Sequence, residues 1–536
     1  MNSDYESDVN YDYIIIGAGS AGSTLAYRLS DNCEKTVLLL EAGPDYRADE
    51  APNEMKSPNP TGLLKEKQFS KYQWPSLTSR RSDAQEPRLY WRGRGMGGSS
   101  SINGQIAIRG MLEDFDIWSQ KGCDHWAGED VLPYFIRLEK DLDFGEQPYH
   151  GDSGPIPIYR TPIEKWGAID KALYEAAIDL GYPWAEDHNA PDSTGISPLA
   201  MNRFGLEGVR ISANNAYIEP ARARSNLTIV GETLVDSIEF DGPRAIGVKI
   251  KTDAASRHIR GREIILSAGV IHSPTILLRS GIGPGAELQS LGIDPLVDLP
   301  GVGNNMQDHA GINLRIALSP NARAVSKDAR HVNCMIRYSS DLMGAGMNDM
   351  MMAGINLTGP SEQERSVGLL MVAVYQYFSR GKLSIVSRDP EVQPQVEERM
   401  LSDERDLIRL RDGVRRLFAV ATHPAFNGVS EGVYPGSQYE DIGQLEQISV
   451  NDFKNDDELD NWLMEFCEDT QHGTGTCRMG NVYDPDTVVD SNGRVIGISG
   501  LRVVDASIMP EVVRANTHLT TVMIAEYMAD RIKQEL

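Results

Sequence analysis

At 536 residues and 59.1 kDa the chain is too long for one simple core, and its length predicts two or three domains able to bury a large cofactor. Its 40% hydrophobic and 24% charged residues exclude a collagen-like or disordered class. A formal net charge of −25 repels the phosphates of a nucleic acid and an anionic membrane surface alike, so neither is an expected partner, and the acidity reads as a means of solubility.

The opening MNSDYESDVNYDY is acidic and polar, without the basic and then apolar layout of a secretion signal. The first apolar run, Tyr13 to Ile16, is much too short to span a bilayer. The cysteines, Cys33, Cys123, Cys334, Cys467 and Cys477, lie far apart with no C-x-x-C pair, which suggests neither a disulfide framework nor a zinc site. Together these features predict a cytoplasmic protein without a metal.

Tyr13 to Ile16 reads as a strand, Gly17-Ala18-Gly19-Ser20-Ala21-Gly22 as a glycine turn, Ser23 to Leu29 as a helix, and Thr36 to Leu40 as a second strand ending at Glu41 and Ala42. This is the order of a βαβ dinucleotide unit. Gly17 serves the tight turn, Gly19 the close approach of backbone to a pyrophosphate, and Gly22 the packing of helix on strand. Glu41 follows about 20 residues on, where a carboxylate accepts from ribose hydroxyls and repels a ribose phosphate. The motif alone does not choose between NAD and FAD, and its place at the start of the chain favours FAD.

Three later stretches are expected to complete the cofactor site. The loop from Gly93 to Gly104, with Gly97, Gly98 and Asn103, has too many small residues to pack a core for its own sake. Ile264 to Gly269 is a strand running through Ala268 into a glycine turn, with a helical patch from Pro274 to Leu278. Gly500 to Ser507 is followed by Asn516-Thr517-His518 and a helix from Thr520 to Ile532. Between them lie alternating runs such as Gly368 to Tyr377 and charged helical stretches such as Ser402 to Leu417. The methionine-rich patch Met343 to Met352 reads as core filler or a loop rather than a metal site.

The residues resemble the glucose-methanol-choline (GMC) oxidoreductases along essentially the whole chain. The resemblance rests on GAGSAG, on GRGMGGSSSING at 93 to 104, on SAGVIHSPTILLRSGIGP at 267 to 284, on PGVGNNMQDH at 300 to 309, on QHGTGTCRMG at 471 to 480 and on GLRVVDASIMP at 500 to 510. Within the family, stretches such as VLPYFIRLEKDLDFGEQPYHGDSGPIPI resemble the bacterial branch containing hydroxymethylfurfural oxidase, with pyridoxine 4-oxidase and aryl-alcohol oxidases as wider relatives.

The resemblance implies an α/β fold with a Rossmann-like FAD-binding domain assembled from 1–155, 200–315 and 462–536, and an α+β substrate-binding domain from 156–199 and 316–461. It implies hydride transfer from an alcohol to flavin N5, with His472 as general base and Asn516 orienting the oxygen. It also implies His518, Asp505, Ala506 and Val235 as cofactor contacts. Ile102 stands where some members carry a histidine that bonds FAD covalently, so a non-covalent FAD is expected. Gln471 stands where hydroxymethylfurfural oxidase-like members have an aromatic residue, and Thr474 where the pyridoxine oxidases have a second histidine.

Proton removal from a hydroxyl during hydride loss needs a base near neutrality, and His472, in a glycine-flanked turn, is free to project from the backbone. Gln471, Tyr375 and Tyr377 are candidate substrate contacts, while His125 and His309 read as structural. The leading function is an FAD-dependent oxidase of primary alcohols that uses O₂ and releases H₂O₂. A dehydrogenase using a quinone or another acceptor, and a non-redox lyase on the same scaffold, are the alternatives.

Overall fold

The computed structural model describes residues 10–65, 67–206, 208–251, 257–436 and 445–535; most of the acidic opening read above lies outside them. Residues 13–16 and Val37–Leu40 are buried without interruption, as strands covered on both faces require. The Asn10–Ile16 strand sits at the centre of a seven-stranded sheet. It pairs in parallel with Val37–Leu40 on one side and with Arg257–Leu266 on the other.

Leu227–Val230 extends the sheet in parallel beyond Val37–Leu40, and Leu501–Val503 joins Arg257–Leu266 from the far end of the chain. An antiparallel extension, Val235–Asp241 and Arg244–Ile250, completes it. The Ser20–Leu29 helix packs on the Thr517–Glu535 helix, so the first and last helices of the chain cover the sheet together. The resulting fold is mixed α/β, as expected.

A second seven-stranded sheet is antiparallel throughout. Its order is Ser430–Pro435, Ala310–Leu318, Val367–Val374, Met350–Ile355, Cys334–Tyr338 and Gly195–Pro198, with Glu468–Asp469 also pairing with Ala310–Leu318. Its side chains divide with the period of two that a strand imposes. Ile312, Leu314, Ile336, Met352, Leu370 and Val372 join a core under the helices Ala168–Asp179 and Glu404–Ala421. Asn313, Met335, Ala353, Leu369 and Met371 point the other way, into a cavity between the two sheets.

The methionine-rich patch divides likewise. Met350, Met351 and Met352 are buried strand residues, while Met343 and Met347 are exposed. No helix among the described residues is long and apolar enough to cross a membrane.

Candidate active site

The cavity, about 450 Å³, runs from the carboxyl ends of the parallel strands to the inner face of the second sheet. At the first end, Gly17 holds a positive φ of 99°, and a side chain there would press on the Ser267 carbonyl oxygen at 2.6 Å. A Cβ on Gly22 would collide with the Gly17 carbonyl, whereas one on Gly19 would meet no protein atom within 4 Å. The Ser20–Leu29 helix begins at Gly19 without a side-chain cap, so its first amides face the cavity, an arrangement suited to an anionic phosphate.

Gly17, Gly19, Ser20, Ala21, Glu41, Ala42, Gly98, Asn103, Gly104, Val235, Ala268, Asp505, Ala506 and His518 all line this cavity. Gly22 and Gly97 do not. They stand behind it, Gly22 against Gly17, and Gly97 donating its amide to the Ala18 carbonyl at 2.8 Å. Glu41 is buried, and its carboxylate accepts from the amides of Ala18, Gly43 and Gly95 at 2.8, 2.8 and 2.9 Å. The expected ribose acceptor thus also ties the glycine loop to the first strand. Burial raises its pKa against the three amides. Asp505 plays a similar part for the Ala268 turn, accepting from the Gly269 amide at 2.8 Å and from the Ser273 and Ser507 hydroxyls at 2.5 Å.

At the other end stand His472 and Asn516, with Asn516 Nδ2 2.9 Å from His472 Nε2. The turn that carries His472 is pinned by Asp308, whose carboxylate accepts from the His472 amide at 2.9 Å and from the Thr470 hydroxyl at 3.2 Å. Burial, with the nearby His309 and Arg92, holds His472 well below the ordinary histidine value, so the ring is neutral. Asp308 is pushed up to about 7 by burial and by the neighbouring Asp469.

His518 Nδ1 meets the Ser20 hydroxyl at 2.9 Å, while its Nε2 and the Oδ1 of Asn516 are buried without a partner. These two unpartnered atoms, the open face of Gly19 and the uncapped helix start are what a bound dinucleotide would satisfy. The residues present fit FAD.

One expectation is corrected, and one residue read as structural proves to stand directly behind the expected base. His309, read as structural, is fully buried with its Nδ1 2.9 Å from His472 Nδ1, and it stacks on Tyr375 at 4.1 Å between ring centres. The motif PGVGNNMQDH ends on it, but its pairing with His472 was not legible there, because the two lie 163 residues apart. Tyr377, expected beside Tyr375 as a substrate contact, is absent from the cavity wall and belongs to the opposite core. The Val367–Val374 strand ends before either tyrosine, so the two-residue period that would align them no longer applies.

Tyr375 and Gln471 do line the cavity. Gln471 has a positive φ of 64°; its Oε1 accepts from Arg92 Nη1 at 2.9 Å and its Nε2 donates to Asp469 at 2.5 Å. The group with metal-ligand spacing, Glu139, Asp141 and His150, lies outside the cavity, and its carboxylates are engaged by Arg109 and Arg160.

A parallel dinucleotide-type sheet whose strand ends open onto a buried, neutral histidine defines an oxidoreductase of the nucleotide-cofactor class. Family models described as GMC oxidoreductase match residues 11–311 and 378–525, and the chain belongs to that family. It is 37% identical to 5-(hydroxymethyl)furfural oxidase of Methylovorus sp. (strain MP688), over 98% of this chain and 99% of the relative. It is 36% identical to an oxygen-dependent choline dehydrogenase of Proteus mirabilis (strain HI4320), over 98% and 96%. Among solved structures it is similar to pyridoxine 4-oxidase from Mesorbium loti, with a TM-score of 0.85, 28% identity and coverage of 98% and 99%. The chain is therefore an FAD-dependent enzyme acting on CH–OH donors.

Proposed function

We propose that the enzyme oxidises primary alcohols next to an aromatic or otherwise π-conjugated ring to the aldehyde, with O₂ as acceptor and H₂O₂ as product. The observation that carries this reading is the neutral His472, its Nε2 facing Asn516 on the wall of a cavity whose substrate side is mainly apolar, with Asn313 and Gln471 among its polar side chains.

FAD, when bound, supplies the acceptor for the hydrogen and electron pair that leave the alcohol carbon. His472 takes the hydroxyl proton in the same event, and the Asn516 amide donates to the oxygen as charge develops there. The positive charge left on His472 favours electron transfer to O₂. Residues 1–155, 200–315 and 462–536 are read as the cofactor-binding part, and 156–199 and 316–461 as the substrate-binding part. The strand Ala310–Leu318 of the second sheet crosses the boundary at 315, and Glu468–Asp469, within 462–536, pairs with it.

The substrate wall is formed by Ile106, Met335, Ala353, Leu369, Met371 and Tyr375, which suits a flat ring. Conjugation also weakens the carbon–hydrogen bond toward hydride loss. A cationic alcohol finds no unengaged carboxylate among the described wall residues. Glu41 and Asp505 are held by amides and hydroxyls, and Asp469 by Gln471 and Arg81. The relatives named for furfural and pyridoxine alcohols support the same class.

The test is a panel of hydroxymethyl-arenes, aliphatic alcohols, sugars and choline, scored by anaerobic bleaching of the flavin band and, in air, by H₂O₂ release against dye reduction. Faster turnover of choline or simple aliphatic alcohols would overturn the substrate class. Dye reduction without H₂O₂ would overturn the acceptor, and turnover without bleaching would point to a lyase.

A further inference from the structure

Two contacts of His309, to the Val513 carbonyl and to His472 Nδ1, bear on where the proton on His472 sits. The Nε2 of His309 lies 3.1 Å from the Val513 carbonyl, which can only accept, so Nε2 carries the hydrogen. Burial holds His309 down to about 3, so the ring is neutral and its Nδ1 presents a lone pair. That lone pair points at His472 Nδ1, 2.9 Å away. The second neighbour of His472 Nδ1 is the Thr470 hydroxyl at 2.8 Å, which spends its own hydrogen on the Asp308 carboxylate. Both groups around His472 Nδ1 are therefore acceptors.

We infer that His309, assisted by Thr470, is a positioning residue that holds His472 as the Nδ1–H tautomer, so that the lone pair of the base stands at Nε2, on the side of Asn516 and the cavity. The opposite tautomer would turn the lone pair of His309 Nε2 on a carbonyl and oppose two hydrogens at Asn516, Nε2–H against Nδ2–H. The stack of His309 on Tyr375 fixes the ring plane that makes this pairing possible. A base defined in this way is ready before substrate arrives, because it has no tautomer exchange to undergo.

The inference rests on His472 as the base, and its test separates the two ideas. In the FAD-loaded enzyme with ¹⁵N-labelled histidine, His472→Ala identifies the His472 ring resonances, and the neutral ring is expected to carry its hydrogen on Nδ1. Its hydrogen on Nε2 would overturn the inference whatever the activity of the enzyme, whereas normal flavin reduction in His472→Ala would overturn the base assignment alone.

Two variants extend the test. His309→Leu keeps an apolar side chain against Tyr375 but removes the acceptor, while His309→Asn returns an amide oxygen close to where Nδ1 stands. With FAD bound, His309→Leu is expected to slow anaerobic flavin reduction by about 10²-fold with little change in alcohol affinity, and His309→Asn to recover much of that loss. Wild-type reduction in His309→Leu, or equal losses in both variants, would overturn it. Should His309→Leu fail to fold, the tautomer reading on the unmodified enzyme still decides.

Discussion

Asn516 gives its Nδ2 to His472 Nε2 at 2.9 Å and leaves its own Oδ1 buried without a partner. The pair separates cofactor binding from chemistry, since the walls expected to hold FAD are formed largely by other residues. His472→Ala is expected to fold and keep its flavin spectrum, yet to slow flavin reduction by about 10² to 10⁴-fold, the usual contribution of a positioned base. Asn516→Ala should slow the same step less, about 10²-fold or below, and weaken alcohol binding, because one donor is lost and the base stays. Stopped-flow reduction without oxygen measures both. A larger loss from His518→Ala with FAD still bound would move the base to that residue.

Gly19 and Gly22 occupy one motif and predict opposite failures. A Cβ at Gly22 strikes the Gly17 carbonyl inside the packed turn, so Gly22→Ala should be destabilised in the apoprotein itself. A Cβ at Gly19 meets no protein atom and fills only space facing the cavity, so Gly19→Ala should fold with a near-normal apoprotein melting temperature and bind FAD poorly. Thermal melts with and without added FAD distinguish them. Tight FAD binding by Gly19→Ala would show that the cofactor does not pass over this glycine.

Ile102 lines the cavity and packs among Met55, Leu63, Phe69 and Tyr72, with no nucleophile of its own. Acid or heat should therefore release a yellow supernatant from the holoenzyme. Colour that stays with the precipitate after full denaturation would show a covalent link.

Much of the cofactor end was legible because its signals are local. Glycines that only a turn tolerates, continuous apolar strands and an acid at a set distance all fall within one stretch of chain, and each lands where its spacing implies. The limits follow from the same physics. Glu41 reads as a free acceptor, but whether a carboxylate is already engaged depends on amides such as that of Gly95, 54 residues away. Tyr377 was placed by a strand period that lapses after Val374. His309 is 163 residues from His472, and the stack that orients it is made by Tyr375 on a third segment.

Outside the cavity, His150 is held by Glu139 at 2.6 Å on Nδ1 and by Asp187 at 2.8 Å on Nε2, with all three side chains buried. Arg109 binds Glu139, and Arg160 bridges Asp187 to Asp141. Burial would lower the histidine pKa, but the two carboxylates outweigh it and raise the value above 6.5. For Glu139 and Asp187 burial raises and the cations lower, and the net shift is downward from 4.5 and 3.8.

The signs then set a window. The contribution of His150 is complete below the unfolded histidine value and fades as pH rises through the higher folded one. That of the two carboxylates is complete above their unfolded values and fades as pH falls through the folded ones. All three are at full strength between about pH 4.5 and 6.5. Replacing His150 by Gln removes one cation from the cluster while Arg109 and Arg160 stay on Glu139 and Asp187, so the loss is that of a charge-assisted hydrogen bond, about 1.5 to 3 kcal/mol. The gap in melting temperature between wild type and His150→Gln should be widest near pH 5 to 6 and narrow toward pH 9. A gap constant from pH 5 to 9 would mean that His150 is buried neutral and that its bonds to Glu139 and Asp187 are uncharged on the histidine side.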